Sequence, residues 1–320
     1  MSEYISGNKL LFHAKFDEKP ITADIFITNF CNNHCPYCTY GRWDLEANEK
    51  RKYTTFDEFV KYATRLRELG AKSIILTGGG EPTINPDFEK ITGWLEENHI
   101  DYGINTNFNV LRYFKPNYLK VSLDAYDSES YKAYRGVDSY DKVRANIIAY
   151  DEWRKENSPK TTLGIQMVAS DVNTVNKFYS ANKDLPVDYI VIRPMESTKC
   201  SYFKKELDPA FKPENLVSAI KTLSGIDPRV QLNYKWNVLD YEASECYAQW
   251  SQIAVNMFGE VMYCCHKPYE IVGNIMDKDI LEKKKNFKTD MLKCDVPCRL
   301  SAPNKTLESL RVVNPHVNFL

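Results

Sequence analysis

The strongest constraint on the fold is an alternation. Between about residues 20 and 225, short β-branched runs take turns with amphipathic stretches of helical period, a pattern that calls for βα units and a parallel sheet. Strand candidates fall at 23–28, 73–77, 101–105, 119–123, 162–169 and 189–192, each expected to be followed by a helical segment. The first helix, 56–69, opens on the capping box Thr55-Phe56-Asp57-Glu58 and stops at Gly70, with Phe59, Ala63, Leu66 and Leu69 on one stripe. Further helices are expected at 86–98, 140–157, 174–183 and 213–223. Six such units are too few to close an eight-stranded barrel, so the α/β class takes the form of an open, partial (β/α)6 TIM-like barrel. Active sites on such sheets lie beyond the carboxyl ends of the strands.

Directly after the first strand candidate comes Cys31-Asn32-Asn33-His34-Cys35-Pro36-Tyr37-Cys38, three cysteines in eight residues. Thiolates are soft ligands for soft metals and iron–sulfur clusters. A structural zinc normally takes four protein ligands, whereas a cluster iron left without a cysteine can bind a small molecule. The formal net charge of -1 and pI of about 6.5 supply no field for nucleic acid or an anionic membrane. Residues 1–10 lack the basic and apolar regions of a signal peptide, and no apolar run approaches the roughly 20 residues of a membrane span. A cytoplasmic protein is therefore expected, in which nine closely grouped cysteines read as metal or redox ligands rather than disulfides.

Two further motifs end strand candidates. Leu76-Thr77-Gly78-Gly79-Gly80-Glu81-Pro82 lets backbone approach a ligand closely and offers an acceptor for an amine. Val121-Ser122-Leu123-Asp124-Ala125 precedes Tyr134-Arg135-Gly136. Taken singly, these are a plain turn, a helix-capping Asp124 and a surface Arg135. With the Cys-x3-Cys-x2-Cys spacing, however, the set resembles the signature of the radical S-adenosylmethionine (SAM) enzymes. The resemblance implies that Cys31, Cys35 and Cys38 hold a [4Fe-4S] cluster whose fourth iron is chelated by the amine and carboxylate of SAM. It places Tyr37 beside the adenine, Gly79, Gly80 and Glu81 at the methionine amine, Ser122 at the ribose and Arg135 near the methionine carboxylate. Asn107, at the end of the preceding strand unit, joins this cofactor-binding set. On the residues alone, a zinc site with a distant fourth ligand stays open.

The second cysteine group comprises Cys246, Gly259-Glu260-Val261-Met262-Tyr263-Cys264 and Cys294-Asp295-Val296-Pro297-Cys298. It resembles the auxiliary-cluster domains of the SPASM and twitch type, in the shorter twitch form. That resemblance makes Cys246, Cys264, Cys294 and Cys298 ligands of one auxiliary [4Fe-4S] cluster, with a four-cysteine zinc as the alternative. The implied organisation is a partial barrel over 1–225, a small α+β cluster domain over 226–300 containing a hairpin that turns at Phe258-Gly259, and a tail over 301–320 docking on the body. Cys265 is either a small hydrophobe or a hydrogen donor to a substrate radical. Cys200 reads as structural, His266 and His316 as hydrogen-bonded histidines, and Lys-rich 278–288 as a solvated helix face.

The family resemblance implies one-electron cleavage of SAM to a 5′-deoxyadenosyl radical that abstracts a substrate hydrogen, with flavodoxin or ferredoxin as electron donor. A fully ligated auxiliary cluster would accept an electron, which favours oxidation. Only thirty residues precede Cys31, short of a leader-binding domain, so the expected reaction is dehydrogenation of a small polar substrate such as a sugar or aminocyclitol. Epimerisation, cross-linking or epimerisation of a ribosomal peptide, and a non-catalytic iron–sulfur or zinc-binding protein remain as alternatives.

Overall fold

The computed structural model describes residues 19–38, 40, 51–169, 171–194, 213–239, 241–294 and 298–311. Seven strands lie side by side and parallel in chain order: β1 (Thr22–Ile25), β2 (Ser73–Leu76), β3 (Asp101–Thr106), β4 (Tyr118–Ser122), β5 (Thr162–Ala169), β6 (Tyr189–Pro194) and β7 (Val230–Leu232). The helices are α1 (Phe56–Glu68), α2 (Phe88–Glu97), α3 (Ser128–Arg135), α4 (Tyr140–Asn157), α5 (Val172–Asn182), α6 (Pro213–Ile226), α7 (Ile280–Asn286) and α8 (Ser301–Arg311). This is the expected α/β partial barrel.

Strand alternation sorts the side chains. Ala23, Ile25, Ile74, Leu76, Ile104, Leu119, Val121, Ile165, Ile190 and Ile192 form one core with helix residues such as Phe59, Leu66, Ile91, Ile147 and Phe178. Their neighbours on the opposite face are mostly polar: Asp24, Asn105, Lys120, Ser122, Gln166 and Arg193. The helix-covered face holds the fold together, and the other face lines the barrel lumen. On that face Tyr118 lies over Gly103 and Tyr189 over Gly164, where an added Cβ would come within 2.0 and 2.1 Å of the ring.

The thirteen-residue α1 has the anticipated reciprocal capping box between Thr55 and Glu58. Two local expectations need correction. No helix follows β3, because residues 107–117 run as a loop in which Thr106 Oγ1 accepts from Phe108 N and Asn107 Oδ1 from Asn109 N. Such short side-chain bonds compete with helix formation. Between β4 and α4 the chain instead forms α3, capped by Asp127 rather than Asp124.

Three later strands, β8 (Gln252–Val255), β9 (Glu260–Met262) and β10 (Ile271–Asn274), extend the same sheet: β8 pairs parallel with β1, and β9 and β10 fold back antiparallel. Gly259, at φ +78°, closes the anticipated turn. Cys200, His316 and residues 312–320 of the tail lie outside the described residues. No described helix is long and apolar enough to cross a membrane.

The path from β1 into the cysteine loop is fixed by Asn85, fully buried, whose Nδ2 donates to Ile27 O at 2.8 Å and Thr54 O at 3.0 Å. Asn85→Ala strips both carbonyls of this donor at a cost of about 1–3 kcal/mol. The expected outcome in urea titration is a lower midpoint with an unchanged slope.

Candidate functional site

Beyond Ile25 the chain crosses the end of β2. The turn Gly78–Gly80 packs so tightly against this crossing that a Cβ on Gly80 would come within 1.8 Å of Phe30 O, and one on Gly79 within 2.7 Å of Thr28 O. Gly78 and Gly79 have φ of +53° and +71°, which disfavours side chains there. Glu81 N donates to Phe30 O at 2.8 Å. The turn and the cysteine loop are therefore one backbone-to-backbone unit.

Glu81 is buried and braces that unit. Its carboxylate accepts from Thr83 N and Oγ1 at 3.1 and 2.7 Å, Thr106 Oγ1 at 2.5 Å and Asn107 N at 2.7 Å. Burial raises its pKa and these donors oppose the rise. Asn107 then reaches the loop, donating from Nδ2 to Asn32 Oδ1 at 2.6 Å and lying 3.9 Å from Cys31 Sγ. Asn109 Nδ2 donates to Asn33 Oδ1. Cys31 is exposed at the rim, yet partial burial of its sulfur and the Glu81 charge push its thiol up to about 12.

The other wall comes from β4 and α3. Arg135 is buried, donates to Ser122 O and to Cys35 Sγ at 3.4 Å, and pairs with Asp124 Oδ2 at 2.9 Å. Its own carbonyl accepts from His34 N at 3.0 Å. Asp124, at φ +56°, also accepts from Tyr37 Oη at 3.0 Å and Val168 N at 2.7 Å. Burial raises the Tyr37 phenol well above its ordinary range, so it stays a donor. Asp124 is thus no helix cap but the acceptor that organises Tyr37 and Arg135. A readable signal was its place at a strand end, two residues after Ser122. The Ser122 hydroxyl makes no hydrogen bond among the described residues.

The structure brings Cys31, Cys35, Cys38, Tyr37, Gly79, Gly80, Glu81, Asn107, Ser122 and Arg135 to the carboxyl ends of β1–β4. Two buried donors there, Arg135 Nε and Asn33 Nδ2, have no partner. Left unmet, each costs about 1–3 kcal/mol, and an anionic ligand beside the sulfurs would meet them. With three soft donors and closely approaching backbone, the residues fit a cluster with a chelating amino acid.

At the far end of the sheet, Cys246, Cys294 and Cys298 line a cavity of about 230 Å³ with Tyr241, Met291 and Asn304. Cys264 is not in that lining but couples electrostatically to Cys246 and Cys298, and burial raises its thiol well above the ordinary range. Among the described residues, in neither cysteine group do three His, Cys, Asp or Glu side chains converge as a single metal ion requires; the thiols lining this cavity are soft donors of the kind that either zinc or an iron–sulfur cluster takes. Cys265 packs with Phe26, Ala254, Met257 and Met262. Lys284 corrects the reading of 278–288 as wholly solvated: it is 3% exposed, donates to Gln249 O at 2.7 Å, and burial lowers its pKa to about 8 against the pull of the Cys264 and Cys246 thiols.

Comparison with known proteins agrees with this geometry. Residues 25–165 match the Radical SAM superfamily. They form a radical SAM domain. The superfamily's cofactors are a [4Fe-4S] cluster and SAM, as anticipated. Over 132 residues the chain is 27% identical to GTP 3′,8-cyclase of Edwardsiella ictaluri, a match spanning 38% of this chain and 40% of that protein. In fold it is similar to Streptococcus suis SuiB bound to precursor peptide SuiA, with TM-score 0.65 and 17% identity over 90% of this chain and 72% of that one. It is likewise similar to native anSMEcpe with bound AdoMet, with TM-score 0.60 and 20% identity over 84% of this chain and 82% of that one.

Gly80→Ala must push Phe30 and the cysteine loop away from the turn. The expected outcome is at least about tenfold weaker SAM retention by equilibrium dialysis, roughly 1.4 kcal/mol, with helix content by circular dichroism preserved.

Proposed function

We propose that the chain is a radical SAM enzyme that oxidises a residue of a peptide substrate, using a second, all-cysteine cluster as electron acceptor. The convergence of the three-cysteine loop with Gly78–Glu81 and the Asp124–Arg135 pair carries this reading. In it, Cys31, Cys35 and Cys38 hold one cluster, and Cys246, Cys264, Cys294 and Cys298 hold the auxiliary one. When bound, the cluster and SAM supply reductive cleavage of a carbon–sulfur bond and abstraction of a substrate hydrogen atom.

The residues of this chain supply the positioning. Arg135 lends positive charge to Cys35 and is held by Asp124, so its guanidinium stays in place when a carboxylate binds. Gly79 and Gly80 expose backbone to the amine while Glu81 keeps the turn in shape. Tyr37 presents a ring edge fixed by Asp124, and Ser122 offers a hydroxyl to the ribose. A cluster held by Cys246, Cys264, Cys294 and Cys298 would supply a one-electron acceptor, and loss of a hydrogen atom, that electron and a proton to solvent would amount to a two-electron oxidation of the substrate. In this reading residues 226–300 work as the auxiliary-cluster part and Cys265, shut within an apolar cluster, is not a hydrogen donor. The expectation of a sugar or aminocyclitol finds no support among the similar folds, whereas SuiB is bound to a precursor peptide and an anSMEcpe structure to the Cp18Cys peptide. A flavodoxin or ferredoxin remains the proposed electron donor.

The test is anaerobic purification with iron analysis, followed by incubation with reductant, SAM and candidate peptides. About eight irons per chain are expected, and about four in the Cys246→Ala/Cys298→Ala variant. Peptide-dependent 5′-deoxyadenosine and a peptide lighter by two hydrogens are the expected products. A colourless, zinc-loaded protein would sink the reading, and a peptide of unchanged mass but inverted centre would convert it to epimerisation.

A further inference from the structure

Of the lysines in 278–288, only Lys284 turns inward. On α7, Lys283 is exposed and pairs with Asp277 at 2.9 Å and Asp279 at 3.1 Å, and the Lys285 amine lies 5.4 Å from the centre of the Trp250 ring. Lys284, between them, is buried and crosses to the turn Ala248–Ser251. Its Nζ donates to Gln249 O at 2.7 Å and to Gln249 Oε1, and lies 5.6 Å from the centre of the Tyr263 ring. These contacts tie the amine to two of the four cysteines assigned to the auxiliary cluster. The N–H of Gln249 donates to the Cys246 sulfur, and Tyr263 directly precedes Cys264.

Both oxygens that hold the amine are neutral. Among the described residues, the negative groups that act on it are the thiols of Cys264, Cys246 and Cys265, and no carboxylate is among them. Lys267, the other buried lysine beside Tyr263, differs: its amine pairs with Glu270 at 3.2 Å and donates to Asp290 O at 2.6 Å. The charge of Lys267 is met by a carboxylate, and that of Lys284 faces sulfur.

A buried cation is costly unless an anion meets it. An iron–sulfur cluster held by four thiolates is such an anion, and it becomes more negative when it takes up an electron. A fixed cation therefore favours the reduced form, since attraction grows with the charge faced. The potentials of such clusters respond to net charge and to hydrogen bonds at their sulfurs. We infer that Lys284 is a positioning residue for electron transfer: its ammonium, held by Gln249, raises the reduction potential of the site formed by Cys246, Cys264, Cys294 and Cys298 and so fits that site to accept the electron leaving the substrate. The role rests on the proposed auxiliary cluster. One electron passes from substrate to that site, and Lys284 makes or breaks no bond.

A merely structural lysine needs only its hydrogen bonds to Gln249, which a neutral donor also makes. Lys284→Gln keeps a donor and removes the charge, Lys284→Met is a second neutral variant, and Lys284→Arg keeps the charge. The test is a redox titration followed by electron paramagnetic resonance at pH 7, on the full chain reconstituted anaerobically and loaded with SAM. The auxiliary signal is the one absent from the Cys246→Ala/Cys298→Ala variant. In Lys284→Gln its potential is expected to fall by at least about 59 mV, a tenfold change in the equilibrium constant of a one-electron couple, with iron content unchanged. Lys284→Arg should recover most of that shift, and the signal of the Cys31–Cys38 site should keep its potential in every variant.

An auxiliary potential in either neutral variant equal to that of the wild type overturns the role, as does a fall in Lys284→Arg as large as in Lys284→Gln. Loss of the auxiliary irons from both neutral variants makes Lys284 a structural residue and overturns it too. About four irons per chain in the wild type would refute the auxiliary cluster and this role with it. About eight irons with unshifted potentials would refute the role alone and leave the proposed reaction standing.

Discussion

The site depends on one steric fact: the backbone leaving β1 and the turn leaving β2 share a space that has no room for a side chain. Gly80 lets the turn reach Phe30, and the bond from Glu81 N to Phe30 O locks the contact at 2.8 Å. Everything around the cysteine loop is then positioned by relay. Glu81 holds the end of β3 through Thr106 and Asn107, Asn107 holds Asn32, Asn109 holds Asn33, and Arg135 carries the restraint from β4 to Cys35. A loop of eight residues with few apolar anchors thus gains a defined shape from four strand ends whose spacing the parallel register fixes.

Charge is handled differently at three places along this sheet. At the cofactor end, Arg135 and Asp124 form a buried pair. Such pairs repay their desolvation poorly, and Asp124 also bears a positive φ; the strain is held where it aims Tyr37 and Arg135 rather than where it would strengthen the core. Midway, on the lumen face, Asp24 is paired with Arg299 and accepts from Gln252. Near the second cysteine group, Lys284 places a cation among buried thiols, an arrangement that makes sense for a group of net negative charge such as a thiolate-ligated cluster.

Local signals in the chain foretold most of the fold. Strands β2–β6 fell within two residues of their β-branched runs, and β1 ended three residues short of its run, because alternation and turn residues both operate over short range. The capping box of α1 and the Gly259 turn were readable for the same reason. The cysteine spacing and the glycines likewise marked strand ends that the structure brings together in the candidate site. What escaped is set by distant contacts. Asp124 looked like a cap because its partners are Tyr37, Arg135 and Val168, up to 87 positions away in sequence. Lys284 looked solvated among lysines because its partner, Gln249, lies across the fold. The helix α3 was missed since its surface is mostly polar, and the loop after β3 was mistaken for a helical unit because the βα rhythm was carried through it.

The least legible feature, the pairing of β8 with β1, gives the two cysteine groups their relation. Parallel pairing sets Val255 beside Ile25, and the antiparallel return through β9 pairs Met262 with Ala254. Cys264 is therefore carried back toward the start of β1, while Cys31 lies beyond its end. The lumen face between them holds Phe26, Asp24 and, across the sheet, Lys120. Strand order alone sets this relation: had β8 joined the β7 edge instead, the same cysteines would stand at the opposite edge of the sheet from Cys31.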